Sequence, residues 1–282
     1  MKENTVILTS FNNEQLGKFL PEPFHSLPVY RTGTTDGLPL TSSHLSTFFQ
    51  EFKHVILIGS IYSTDERNIT TPNHQIEFML LLLYNFANQN NSKLSYLNHH
   101  LEVIKVTIEN EESLTKIVND MSHLDCGNDR LIINNKSVTS TQKIHVHNQQ
   151  TANTISETYF EWLPKFAKIV SLNKRKNFYI LQLKRTTIPL LQLQQVQNKS
   201  SKPSISEYVI HGGFLNKKSV QVNYGRFWFL LSPDKKYVYT SIVHFQPSLP
   251  WVIYTLTQSP IHELVMKHFA KTLKKSHHMS KH

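Results

Sequence analysis

Between Asn177 and Phe245 the chain has room for little but strands. Apolar and β-branched runs recur at Asn177 to Leu183, Ile188 to Val196, Tyr208 to Phe214, Ser219 to Leu231 and Tyr237 to Phe245. Turn residues separate them at Asn198 to Pro203, Asn216-Lys217-Lys218 and Ser232-Pro233-Asp234-Lys235, and Asn173 marks a turn ahead of the first. The Ser-Pro-Asp-Lys segment, set between two aromatic-rich runs, predicts a hairpin. Strands that follow one another without intervening helices pair antiparallel.

The flanks of this block are helical. Lys143 to His147 alternates as one further strand, and Thr154 or Ser156 then caps a helix that runs to about Val170 and is interrupted at Pro164. After Pro247-Ser248-Leu249-Pro250 a second helix is predicted from Trp251 to about Lys274, kinked or split at Pro260. Ile261, Leu264, Val265, Phe269 and Leu273 give it an apolar stripe, with lysines 267, 271, 274 and 275 on the remaining surface.

The first half has a different rhythm. Thr5 to Thr9 is a short β-type run, followed by a Pro/Gly-punctuated stretch from Pro21 to Pro39. Thr41-Ser42-Ser43 caps a helix from His44 to Phe52, and His54 to Ile58 is continuously apolar, as a strand covered on both faces is. A mostly buried helix is expected from Asn73 to Phe86, a strand from Leu101 to Ile108, a helix from Glu111 to Met121 and a last strand from Arg130 to Ile133, with polar loops at 90–96 and 134–142. Strands alternating with helices imply a small parallel layer. The fold class expected is therefore α+β: residues 1–142 as a small α/β domain, 143–275 as a curved antiparallel sheet with a long C-terminal helix, and 276–282 as a basic tail.

Composition narrows the setting. Hydrophobic residues at 39% and charged ones at 18% suffice for a core and exclude a disordered chain. The apolar run near Phe78 to Tyr84 is too short to span a bilayer, the first residues lack the pattern of a signal peptide, and one cysteine, Cys126, makes no internal disulfide. A cytoplasmic protein is the expectation. The net charge of +10 is concentrated: Lys165 to Arg185 carries seven basic residues and no acid, and the last twelve residues are equally one-signed. Such patches favour anionic partners, an anionic membrane surface among them.

The aromatic strand ahead of the hairpin separates its side chains into two sets. Val220, Val222, Tyr224, Arg226, Trp228 and Leu230 share one face, and Gln221, Asn223, Gly225, Phe227 and Phe229 the other. Both sets are aromatic from 227 on, so both faces are expected to be covered there. Arg226 is the odd member, since a guanidinium turned inward needs an acid or an anionic ligand. Glycines 212, 213 and 225 stand where a sheet bends or a ligand approaches the backbone.

Three segments carry a resemblance. They are Ile155 to Pro164 (ISETYFEWLP), Tyr208 to Gly213 (YVIHGG) and Leu249 to Ile253 (LPWVI). In order and architecture, residues 143–275 resemble the START-like (SRPBCC, helix-grip) superfamily, which also holds polyketide cyclases and birch-pollen-allergen-type proteins. The Leu-Pro-x-Trp pattern frequent in that family lacks its intervening residue here. The resemblance implies a helix across a curved sheet, enclosing a tunnel for a lipid, sterol or other apolar small molecule. Trp162, Trp251, Val265 and Phe269 would line it from the helices. His211, Tyr224, Arg226, Trp228 and His244 would do so from the sheet. No cofactor is implied.

Other chemistry is sparse. His145 and His147 share a strand face at a spacing that can grip zinc, but no carboxylate or cysteine lies near them in sequence, and no metal is expected. His262-Glu263 lacks the second histidine of the zincin helix. Cys126 has His123 nearby without the other marks of a nucleophile site. Glu157, Glu161 and Glu207 fall near helix or strand starts and are expected to be solvated. In the first half a second candidate site lies at the carboxyl ends of the strands, where parallel sheets bind ligands: Ser10 after the first, then Ser60, Ser63, Asp65 and Arg67 after the second, with Thr9, Asn12 and Asn13 in the same crevice. That arrangement is similar to nucleotide-sensing Rossmann-like domains, the CRISPR-associated kind included.

Three functions remain open at this point. The first is binding or transfer of an apolar small molecule. The second is a cyclase- or hydrolase-type enzyme in the same pocket, with His211 paired to Tyr224 or His244. The third is a nucleotide-responsive protein using the first domain. Nucleic acid is disfavoured as a partner because the aromatics occupy regular strand positions without basic interleaving.

Overall fold

In the computed structural model the chain divides into two compact units, Met1–Asn135 and Lys136–His282. The residues described are 4–11, 13–31, 40–59, 72–124, 138–146, 150–197, 203–216, 225–248 and 264–274. The fold is mixed α/β with two sheets.

The first unit contains β1 (Thr5–Thr9), α1 (Asn13–Phe19), β2 (Val29–Arg31), α2 (Ser42–Glu51), β3 (His54–Ile58), α3 (Pro72–Gln89), β4 (Lys93–Leu97), β5 (Val103–Lys105) and α4 (Glu111–Ser122). Its sheet has the order β2-β1-β3-β4-β5. The first four strands are parallel and β5 runs antiparallel to β4 at the edge. β1 and β3 are apolar on both faces, and Val6, Ile7, Leu8, Val55, Ile56, Leu57 and Ile58 are all buried. Ile7, Ile56 and Ile58 pack with Leu16 of α1. α2 begins as the sequence predicts, with the Thr41 side chain accepting from the His44 amide.

Several expectations need correction here. Residues 93–96 of the expected loop 90–96 belong to β4: Leu94, Tyr96 and Leu97 are buried, but Asn- and Ser-rich flanks mask so short a run. The predicted strand 101–108 shrinks to the three residues of β5, because only one edge of β4 is left to pair with. The sequence predicts neither the short α1, which precedes the Pro/Gly-punctuated stretch, nor β2, which lies inside it. The predicted strand 130–133 lies outside the described residues.

The second unit contains β6 (Val138–His145), α5 (Ala152–Phe166), β7 (Val170–Arg175), β8 (Phe178–Leu183), β9 (Pro189–Gln195), β10 (Ile205–Gly212), β11 (Gly225–Leu231), β12 (Tyr237–Phe245) and a final helix α6 over 264–274. Its seven-stranded sheet is antiparallel throughout and ordered β6-β12-β11-β10-β9-β8-β7. The first strand therefore pairs with the last, and α5 carries the chain from one edge to the other. The β11–β12 hairpin turns where Ser-Pro-Asp-Lys predicts, with Ser232 N donating to Tyr237 O at 2.9 Å and Lys235 N to Ser232 O at 2.9 Å.

The polar stretch 134–142, expected as a loop, supplies the first five of the eight residues of β6, whose Thr141 pairs with Ser241. α5 is capped by Thr151 rather than Thr154 or Ser156, and it runs through Pro164 to stop at Phe166. A proline in the last turn forfeits one backbone bond without breaking the helix. The chain then enters β7, and Asn173, expected in a turn, lies inside that strand. β7 is an edge strand with polar side chains, so it shows no apolar alternation. Residues 219–224 and 251–263 lie outside the described residues. Among the described residues no helix is long and apolar enough to cross a membrane.

Candidate functional site

One face of the second sheet and the two helices over it enclose an aromatic interior. Register assigns that face: Tyr208 stands opposite Phe227, and Phe229 opposite Ser206 and Thr240. Tyr159 and Phe160 of α5 meet these rings, with Tyr159 5.5 Å from Phe227 and Phe160 4.9 Å from Tyr208 between ring centres. α6 joins through Phe269, 5.2 Å from Tyr159 and 5.3 Å from Trp162. Its Val265, Phe269 and Leu273 belong to the same core, as the apolar stripe predicts, together with Met266, whereas Leu264 of the stripe is 49% exposed. Of the expected lining, then, Trp162, Val265 and Phe269 are brought together.

Polar groups fasten this interior on one side. Ser156 Oγ on α5 lies 2.8 Å from the Tyr208 hydroxyl and 3.3 Å from Ser206 Oγ. Glu157, expected to be solvated, accepts from the Tyr179 hydroxyl and from Lys174. Burial first, and for Tyr179 the neighbouring Glu157 next, pushes the Tyr179 and Tyr208 hydroxyls up, so both stay protonated donors. Elsewhere on this face Thr240 Oγ1 is buried with no hydrogen-bond partner among the described residues. The sequence offers Ser156 only as a helix cap and Tyr208 only as part of a strand, and it does not mark Thr240, because the pairing that gathers them is long-range.

His211, Arg226 and Trp228 lie on the opposite face. Arg226 pairs in register with Val209 and Val243, and Trp228 with Glu207 and Ser241. Successive side chains alternate across a strand, so these point away from Tyr208, Phe227 and Phe229. The expected single lining thus separates into two sets. This second face is buried as well, with Trp228 and Ser241 fully enclosed. Arg226 Nε lies 3.0 Å from Glu207 Oε1, the two side chains being 12% and 2% exposed. Glu207 is therefore a buried acid, not a solvated one. Arg226 Nη1 and Trp228 Nε1 are buried without hydrogen-bond partners among the described residues.

Two histidines border the pair. His244, in the left-handed region at φ 54°, is pushed down to about 4, by burial first and by the positive Arg226 next. His211 shares its Nε2 with Gln194 Oε1 at 2.8 Å, and partial burial, then Arg226, pushes it down too. Tyr224 and Trp251 lie outside the described residues.

In the first unit Ser10 follows β1 as expected, while Ser60, Ser63, Asp65 and Arg67 lie outside the described residues. Thr9 Oγ1 donates to Ile58 O at 2.8 Å and accepts from Phe11 N at 3.1 Å, tying the ends of β1 and β3 together. Phe11 covers the turn after β3: Gly59 has φ +64°, and a Cβ there would fall 2.0 Å from the Phe11 ring. Asn13 accepts from Arg31, which also donates to Phe11 O at 3.2 Å. Of the two histidines at zinc-gripping spacing, where no metal is expected, His145 packs against Tyr237, and His147 lies outside the described residues. Among the described residues no group of three potential ligands is placed to hold a metal ion.

No protein-family model matches the chain, and no curated protein matches it.

Proposed function

We propose that the second unit binds, and in that form carries, an apolar small molecule such as a lipid, held between α5, α6 and the sheet. The observation that carries this is the Thr240 hydroxyl, buried on the strand position opposite Phe229 with no hydrogen-bond partner among the described residues. A buried hydroxyl without a hydrogen bond costs about 1–3 kcal/mol, which a ligand carbonyl or hydroxyl would recover. The strand order, with the first and last strands paired and both helices on one face, supports the START-like resemblance. Such sites are mostly apolar with a few placed polar groups.

The enzyme alternative asks for His211 in the same space, and strand parity turns that side chain to the other face. An acid/base role would instead fall to Glu207, His211 and His244 around Arg226. The nucleotide-sensing alternative rests on residues 60–67, which lie outside the described residues.

The test is native mass spectrometry of protein purified without detergent, followed by organic extraction. A stoichiometric apolar adduct is expected, with affinity for a fluorescent fatty-acid or sterol probe reduced about tenfold in Thr240→Val. No adduct and no probe uptake would sink the proposal.

A further inference from the structure

The basic run from Lys165 to Arg185 is divided by the fold between two ends of the sheet. Lys174, Arg175 and Lys176 stand at the β7–β8 turn, and Lys165, Lys168, Lys184 and Arg185 stand exposed at the other end. At that second end three chain turns meet. Lys184 N donates to Ile169 O at 2.8 Å, joining the α5–β7 turn to the end of β8. Leu183 N donates to Ile188 O at 3.1 Å across the β8–β9 turn, and Phe214 N donates to Pro189 O at 2.7 Å. Gly213 makes the last contact feasible: its φ is +116°, and a Cβ there would fall 2.3 Å from Leu190 O.

Three large apolar side chains project from this end, Ile169 at 68%, Phe214 at 60% and Ile188 at 47% exposed. They flank β7, β9 and β10 in the order β10-β9-β8-β7, with strands about 5 Å apart, so the three span roughly 15 Å. No acidic residue occurs between Glu161 and Glu207.

From this juxtaposition we propose that the turns at Ile169, Ile188 and Phe214 are a docking tip for an anionic lipid surface. Apolar turn residues enter the interfacial zone of a bilayer while the surrounding cations meet acidic headgroups. A protein partner would be expected to meet a flatter patch with mixed charge at its rim. A nucleic acid would use the cations and leave the aliphatic side chains idle. The tip does not depend on ligand carriage, since a protein that carried nothing would dock in the same way.

The experiment is sedimentation of the full chain with phosphatidylcholine vesicles, with and without phosphatidylserine. Binding is expected only to the serine-containing vesicles and to weaken with salt. The Lys184→Gln/Arg185→Gln variant should lower partition about 25-fold. Ile169→Ser/Phe214→Ser should lower it at least tenfold at every salt concentration, and circular dichroism checks that both variants fold. Equal partition of wild type and either variant, or equal binding to neutral vesicles, would overturn the proposal. Salt-sensitive binding of a single-stranded oligonucleotide that the lysine/arginine variant loses and the apolar variant keeps would overturn it in favour of nucleic acid. Extraction of the same samples keeps the two proposals apart, because an adduct without vesicle binding removes docking alone and the converse removes carriage alone.

Discussion

Arg226 and Glu207 face each other diagonally across β10 and β11, where long side chains bridge positions that are not directly opposite. Removing one member of a buried pair leaves the other charge uncompensated, at about 3–5 kcal/mol. Glu207→Leu and Arg226→Met should each lower the urea midpoint accordingly, and the double variant should recover most of the loss. Additive losses in that cycle would show that the pair is not coupled. His244 offers a second measurement. Its proton affinity is pushed from 6.5 down to about 4 in the folded chain, so the unfolded chain binds the proton more readily between those values. Stability is then full above 6.5 and falls as pH drops toward 4, by about 3 kcal/mol from this group. His244→Asn, which suits the left-handed backbone and does not titrate there, should flatten the pH slope of the denaturation midpoint relative to wild type. The oddity of Arg226 is legible in the sequence as a charge among aromatics. Its partner is not, because Glu207 is chosen by the register between two strands, which no local pattern reveals.

Elements with a strong pattern are the legible ones. β3, β12 and α2 lie where apolar runs and a threonine cap put them, and the two-sided aromatic pattern of β11 predicts the burial of both its faces. β4, β7 and the start of β6 stay hidden for a common reason. Their residues are polar or few, and pairing with a stronger neighbour, not their own pattern, makes them strands. The candidate site suffers from the same blindness, since assigning a side chain to the helix-covered face needs the register as well as the strand. At the end of β10 the turn rests on one glycine. Gly213→Ala meets both a left-handed φ and the Leu190 carbonyl, so it should cost at least about 2 kcal/mol, read as a drop in thermal midpoint. An unchanged midpoint would mean that the β9–β10 approach is not needed for stability.

For the whole molecule, the change of hydrophobic rhythm announces two units, and the structure places their division at Asn135–Lys136, seven residues before the expected end of the first domain. The +10 charge gives no such map, because one basic run is carried to opposite ends of a sheet. If the second unit holds its ligand as proposed, stripping the ligand should lower whole-chain stability by about 3 kcal/mol relative to protein kept at a hundredfold excess over Kd. Calorimetry before and after native delipidation on a hydrophobic resin reads that difference, and identical traces would argue against a bound ligand. The pairing of β6 with β12 bears on how the chain is made. Thr141 and Ser241 share a hydroxyl contact across 100 residues. A ribosome adding about 5–20 residues each second leaves β6 waiting roughly 5–20 seconds for the strand that completes its ladder. Throughout that interval a nascent chain shows an unsatisfied strand edge to its surroundings, so the yield of native protein depends on whatever shelters that edge during translation.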